Sequence, residues 1–187
     1  MKKRIIIFPT DTVYGIATKI SDTDSLNKIY QIKKRNLDKP ITVLFSSLKE
    51  IQKIVLINDK ILKIANFFWP GPLTLIVPVN PSCFIFEREK KIGIRIPNHK
   101  LALKILKKEG PLRTTSVNFS GQPALNNYYE IKKKYQNKVD YIYYDNKKNF
   151  SSGISSTVFD IVNFKIIRMG DTNVFQKLKK FISDNFD

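Results

Sequence analysis

The sequence predicts one α/β domain spanning residues 1–187, with a twisted, mixed β-sheet flanked by helices. Three observations predict it. Apolar residues recur at helical spacing in some segments, and in others they alternate or run on over five to seven positions, as strands do. The two kinds of segment are interspersed without strict strand–helix–strand alternation, which favours a mixed sheet over a purely parallel one. Hydrophobic residues make up 42% of the chain and charged residues 26%, the balance of a globular domain with a sizeable core.

Arg4 to Phe8 reads as the first strand, halted by Pro9. Ser21 is placed to cap a helix, with Asp24 three residues on and Leu26, Ile29 and Tyr30 on one apolar face. Ser47 and Glu50 form a capping-box pair ahead of Ile51, Ile54 and Val55. A third helix starts near Asn58, turns Ile61, Ile64, Ala65 and Phe68 inward, and ends at Pro70. Leu73 to Val79 and Ile92 to Ile96 read as strands. A helix over Asn98 to Lys108 stops at Gly110. Leu112 to Val117 is strand-like, Tyr129 to Tyr135 helical, and Val139 to Tyr144 a strand. A polar loop, Asn146 to Ser156, leads to strands at Thr157 to Val162 and Lys165 to Met169, joined by a turn at Asn163-Phe164. The last helix carries Phe175, Leu178 and Ile182.

Composition excludes several function classes. No apolar run approaches the ~20 residues of a membrane span. The basic start, Met1-Lys2-Lys3-Arg4, precedes an apolar stretch too short for a signal peptide, so a cytoplasmic chain with no membrane association is expected. Cys83 and His99 are the only residues of their types, which rules out an internal disulfide and argues against a zinc site of Cys and His. His99 opens a helix and is expected at the surface. Lys and Arg number 33 against 16 acidic residues, a net charge of +17 that attracts polyanions. A chain rich in Lys, Ile and Asn together also arises from genome base composition alone. The runs at Lys132 to Lys134, Lys147-Lys148 and Lys179-Lys180 are expected as solvated faces.

The chemistry-bearing residues gather where strands end. Pro9-Thr10-Asp11-Thr12-Val13-Tyr14-Gly15 places two hydroxyls, a carboxylate and a glycine after the first strand, as a ligand site of an open α/β sheet or as an ordinary turn. Lys33-Lys34-Arg35 closes a helix, where cations favour the dipole but could also grip phosphates. Neither a Walker loop nor GxGxxG is present. Trp69-Pro70-Gly71-Pro72 makes a rigid turn with few groups for chemistry. In Ile92-Gly93-Ile94-Arg95-Ile96, alternation sets the isoleucines on one face and Arg95 on the other, to bind a carboxylate or form a surface ion pair. Ser116-Val117-Asn118, Ser155-Ser156-Thr157 and Arg168-Met169-Gly170 add hydroxyls, an amide and another guanidinium.

Taken in order, these segments resemble the YrdC/TsaC family, the threonylcarbamoyl-AMP synthases. The family pattern PTETVYG, KxRP, WPGPLT, RxP, SAN-x-SG, ST-V-x-D, R-x-G is similar to Pro9–Gly15, Lys33-Lys34-Arg35, Trp69–Thr74, Arg95-Ile96-Pro97, Ser116–Gly121, Ser156–Asp160 and Arg168-Met169-Gly170. Seven short motifs in order over residues 9 to 170 are far more specific than any one. The resemblance implies a YrdC-like fold with a basic concave cavity, in the short form without the C-terminal Sua-type domain. It implies that ATP, L-threonine and bicarbonate react there, with Mg2+ on the phosphates. It assigns Thr10, Arg95 and Ser156 to threonine, Lys33, Arg35, Ser116, Asn118 and Arg168 to ATP, and the catalytic roles to Lys33 and Arg35. It implies a tRNA product, threonylcarbamoyladenosine, made by a downstream transferase complex, and some affinity for double-stranded RNA. Departures are Asp11 for Glu, Asn36 for Pro, Val117 for Ala, and Leu44 where many members carry His. The rival expectation is a non-catalytic double-stranded RNA-binding module, compatible with the charge and the eight tyrosines. Against it, hydroxyls and single arginines at strand ends suit a small-molecule pocket better than an RNA-reading sheet.

Overall fold

The computed structural model describes residues 4–86, 89–146 and 151–186. In chain order the elements are β1 (Ile6–Phe8), β2 (Gly15–Lys19), α1 (Thr23–Lys33), β3 (Thr42–Leu44), α2 (Leu48–Ile51), α3 (Asp59–Phe68), β4 (Leu73–Pro78), β5 (Lys91–Arg95), α4 (Lys100–Glu109), β6 (Leu112–Ser116), α5 (Tyr128–Tyr135), β7 (Tyr141–Ile142), β8 (Thr157–Asp160), β9 (Lys165–Arg168) and α6 (Thr172–Phe186). Among the described residues the strands join into one mixed sheet, ordered β7-β1-β2-β6-β3-β5-β4-β8-β9. Three pairs are parallel, β1 with β7, β3 with β5 and β4 with β8.

Alternation along these strands builds both the core and the cleft. Ile92 and Ile94 of β5, with Leu73, Leu75 and Val77 of β4, pack on Ile61 and Ile64 of α3 and Leu178 of α6. Ile7 and Ile16 pack on Ile29 and Tyr30 of α1 and Ile131 and Tyr135 of α5. Each fully buried aliphatic side chain stabilises this packing by about 1.5–3 kcal/mol. On the opposite face Ile6, Phe8, Ala17, Leu44 and Leu112 pack on Ala102, Ile105 and Leu106 of α4. The neighbouring positions of that face are mostly small or hydroxylated, with Ile76 and Val158 as apolar exceptions. Gly15 pairs with Ser116, Thr42 with Thr114, Gly93 with Ile76 and Thr74 with Val158. A Cβ on Gly93 would lie 3.2 Å from the Thr42 hydroxyl and 3.3 Å from the Thr74 methyl, so the glycine keeps this floor low.

Several local expectations are corrected. The first helix is capped by Asp22, whose carboxylate accepts from the Ser25 amide at 3.0 Å, and not by Ser21. Burial works against that carboxylate, but bonds from Ser25, the Arg4 amide and Thr18 prevail and lower its pKa. Ser47 makes no side-chain cap. Glu50 instead accepts from the amide and hydroxyl of Ser46, both at 2.9 Å. Strands β2 and β3 are not evident in the sequence because β2 carries small residues, β3 is only three residues long, and both follow segments that read as turns. His99 is buried, not at the surface. Its Nδ1 accepts from the Ala102 amide at 3.3 Å, capping α4, so the ring proton rests on Nε2, which donates to Asp145 at 3.1 Å. Lys132 to Lys134 and Lys179-Lys180 are exposed as expected, while Lys147-Lys148 lie outside the described residues.

Candidate active site

The turn after β1 is organised around Arg95 at the end of β5. The Thr10 hydroxyl donates to the Val13 carbonyl at 2.7 Å, which uses its only proton. Thr12 Oγ1 must therefore donate to Thr10 Oγ1, 2.9 Å away, and accept from Arg95, also at 2.9 Å. The same guanidinium pairs with the Asp11 carboxylate and donates through Nε to the Gly71 carbonyl at 2.9 Å. That carbonyl belongs to the Trp69–Pro72 turn, whose Gly71 amide donates to the Ile96 carbonyl at 2.9 Å. The proline-rich turn thus bears on the site through its backbone. Burial lowers the pKa of Arg95, and Asp11 opposes that by favouring the charged form. Asp11 Oδ2 is buried and has no hydrogen-bond partner among the described residues.

A second arginine, Arg35, braces the loop after α1. Its Nε donates to the Lys39 carbonyl and its terminal nitrogen to the Pro40 carbonyl, each at 3.0 Å. The third, Arg168, ends β9 and grips the Ser156 carbonyl at 3.0 and 2.8 Å and the Ser156 hydroxyl at 3.2 Å. Ser156 in turn shares a hydrogen bond of 2.8 Å with Thr74. Arg168 keeps an exposed edge, yet partial burial and then the like charges of Arg95 and Arg35 lower its pKa. The repulsion marks three guanidiniums converging on one space. On the neighbouring rim Lys91 pairs with Asp160. Asp160 also accepts from the Val162 and Asn163 amides at 3.0 and 3.1 Å, closing the β8–β9 turn.

These elements enclose a cleft of about 400 Å³ on the small-residue face of the sheet. It brings together six of the expected site residues, Thr10, Arg35, Arg95, Ser116, Ser156 and Arg168. Leu44 also lines it. Lys33 and Asn118 do not join the lining, contrary to expectation. Lys33 is 2% exposed and donates to the Ser116 and Asn118 carbonyls and to Asn118 Oδ1, the last two at 2.9 and 2.8 Å. Asn118 Oδ1 also accepts from the Ser116 hydroxyl at 2.6 Å. The physical reason is saturation: an ammonium has three N–H groups, and this corner takes all three. Burial, and then Arg35, lower the Lys33 pKa to about 8. Asp11, Thr12 and Thr74 lie inside the sequence motifs, but the sequence alone gives them no partners. The polar side chains of the Thr10–Thr12 turn were the available signal.

Comparisons with known proteins bear on this geometry. The Sua5/YciO/YrdC family model, described as telomere recombination, matches residues 1–170. A putative threonylcarbamoyl-AMP synthase of Methanocaldococcus jannaschii is 36% identical over 180 residues, 95% of this chain and 84% of that protein. The threonylcarbamoyl-AMP synthase of Pyrococcus abyssi is 28% identical over 86% of this chain, but only 48% of its own length is covered. A crystal structure of Pyrococcus abyssi Sua5 complexed with L-threonine superposes with a TM-score of 0.85 at 26% identity, covering 96% of this chain and 54% of that one.

Proposed function

The chain belongs to the Sua5/YciO/YrdC family, and from that membership we propose that it is an L-threonylcarbamoyladenylate synthase, an ATP-dependent nucleotidyltransferase. Its substrates are L-threonine, bicarbonate and ATP. The observation that carries the reading is the cleft, where Arg35, Arg95 and Arg168 converge beside Ser116 and Ser156. Three guanidiniums around one space suit a reaction that brings anions together. The synthase names of the relatives favour this reading over the RNA-binding module.

The reaction needs no enzyme nucleophile. The threonine amino nitrogen bonds to the bicarbonate carbon, water leaves, and a carbamate results. A carbamate oxygen then bonds to the α-phosphorus of ATP, and the bond to the pyrophosphate oxygen breaks. The protein holds the two anions in line and offsets their repulsion, which is positioning plus electrostatic stabilisation. Arg95 offers its remaining N–H groups to the threonine carboxylate, with Thr10 and Ser156 shaping that end. Arg35, Arg168 and Ser116 face the nucleotide, and Lys33 acts through the Ser116–Asn118 corner that it clamps. Hydroxyls and a carboxylate among the lining groups fit a hard, oxygen-seeking cation, so Mg2+ bound to the phosphates is the cofactor we propose. When bound, it neutralises phosphate charge.

Purified chain with Mg2+, ATP, bicarbonate and threonine should release pyrophosphate and form threonylcarbamoyl-AMP, and omitting threonine should abolish both. Pyrophosphate release indifferent to threonine overturns the reading. The adenylate would pass to a separate transferase complex that makes threonylcarbamoyladenosine in cytoplasmic tRNA.

A further inference from the structure

We propose that Asp38 is the protein's own ligand to the divalent cation that accompanies the triphosphate. The inference rests on the synthase reading and adds to it a metal-contacting residue. Among the described residues that line the cleft, Asp38 is the one acidic residue. The buried carboxylates of Asp11 and Asp160 are committed to Arg95 and Lys91. The Asp38 carboxylate has no hydrogen bond or ion pair among the described residues, although Arg35 and Lys39 line the same cleft.

The loop that carries Asp38 is nevertheless firmly built. The Asp38 amide donates to Asn36 Oδ1 at 3.0 Å, and the Lys39 amide to the Asn36 carbonyl at 3.1 Å. The Lys39 carbonyl accepts from the Tyr30 hydroxyl at 3.1 Å and from Arg35 Nε at 3.0 Å. Arg35 reaches on to the Pro40 carbonyl. The backbone on both sides of Asp38 is held, and its side chain is left available.

A bare carboxylate beside a bound triphosphate repels it. An intervening cation reverses the sign, and Mg2+ is typically bound by one or two carboxylates together with substrate phosphates. Arg35 and Asp38 belong to one braced loop, so a guanidinium for a phosphate oxygen and a carboxylate for the metal reach the triphosphate from one side.

The test uses the full chain, Mn2+ as the probe and α,β-methylene ATP as an unreactive nucleotide. Mn2+ binding to the protein–nucleotide complex is read by electron paramagnetic resonance. Asp38→Asn should weaken it at least about tenfold, since even changing a residue behind a metal ligand costs about 10–100-fold. Asp38→Glu should recover part of the loss. Nucleotide binding in EDTA should not weaken in Asp38→Asn. Asp38 is exposed, so the fold should tolerate both changes. Equal Mn2+ affinity in wild type and Asp38→Asn overturns the inference. So does a loss of nucleotide affinity that is the same with Mn2+ and in EDTA, since Asp38 would then touch the nucleotide itself. If the wild type does not bind the analogue at all, the synthase reading falls and this inference with it.

Discussion

Raising the pH through 8 should loosen nucleotide binding while it relieves a stability cost, and both effects trace to Lys33. The residue is 2% exposed, and its pKa is lowered from 10.5 to about 8. At about 1.4 kcal/mol per pH unit, keeping Lys33 charged in the folded protein costs roughly 3 kcal/mol. The sign follows from proton counting. Between about 8 and 10.5 the unfolded chain holds a proton at Lys33 that the folded chain has lost, so stability rises with pH in that window. Above 10.5 the cost is gone, and below 8 it is fully present. Urea denaturation at pH 7 and pH 9.5 should therefore show wild type gaining about 2 kcal/mol relative to Lys33→Met. Function moves the other way. A neutral amine has two N–H groups for three acceptors, Ser116 O, Asn118 O and Asn118 Oδ1. One of the three then loses its donor, and a positive charge disappears beside the cleft. ATP affinity by calorimetry should fall with a midpoint near pH 8 in wild type and show no such step in Lys33→Met. A stability difference between the two proteins that stays flat from pH 7 to pH 9.5 would refute the reasoning.

Two further perturbations separate the ends of the cleft. Arg95→Ala should weaken threonine binding by roughly 2–5 kcal/mol with ATP affinity changed much less, and should destabilise the fold by about 3–5 kcal/mol because Asp11 stays buried without its charge partner. Arg95→Lys should rescue poorly, since one ammonium cannot reproduce the fork that meets Gly71, Thr12 and Asp11; unchanged threonine affinity in calorimetric titration would remove Arg95 from the site. Gly170→Ala places a Cβ 2.4 Å from the Ser155 carbonyl and 2.5 Å from the Thr157 amide. It should cost about 1–3 kcal/mol and lower turnover by displacing Ser156. Normal turnover in that variant would show that Ser156 tolerates movement.

Long periodic segments were legible in the sequence. The inner face of α3 and the alternation of β5 emerge as read, because burial of Ile61, Ile64, Ile92 and Ile94 dominates their placement. The short central strands β2 and β3 were not. Gly15-Ile-Ala-Thr-Lys has small residues where the cleft needs room, so its hydrophobic signal is halved. Thr42-Val-Leu is too brief to stand out after Pro40. The site divided in the same way. Motifs at strand ends located the cleft, because the sheet must present its strand ends somewhere. Which polar group faces a ligand and which faces a protein neighbour depends on register and on loop return, and no single segment contains that. Lys33 is the clear instance. Its partners lie 83 and 85 positions away in the chain. His99 is another, since its capping role is local but its second partner, Asp145, lies 46 positions away.

The difference between lysine and arginine in this cleft follows from counting donors. A guanidinium carries five N–H groups in a rigid plane, and an ammonium carries three. Arg35 commits two to the carbonyls of its own loop and has three left. Arg95 commits one each to Gly71, Thr12 and Asp11 and has two left. Arg168 commits Nε and one terminal nitrogen to Ser156, and its other terminal nitrogen makes no hydrogen bond among the described residues. Each arginine can therefore stay anchored to the fold and still meet an anion, so little rearrangement is needed on binding. Lys33 has no such surplus, and freeing it for a phosphate would undo the Ser116–Asn118 corner. Arg35, Arg95 and Arg168 at the wall and Lys33 behind it thus divide the labour by valence: these guanidiniums are both fixed and available, and the Lys33 ammonium is only fixed.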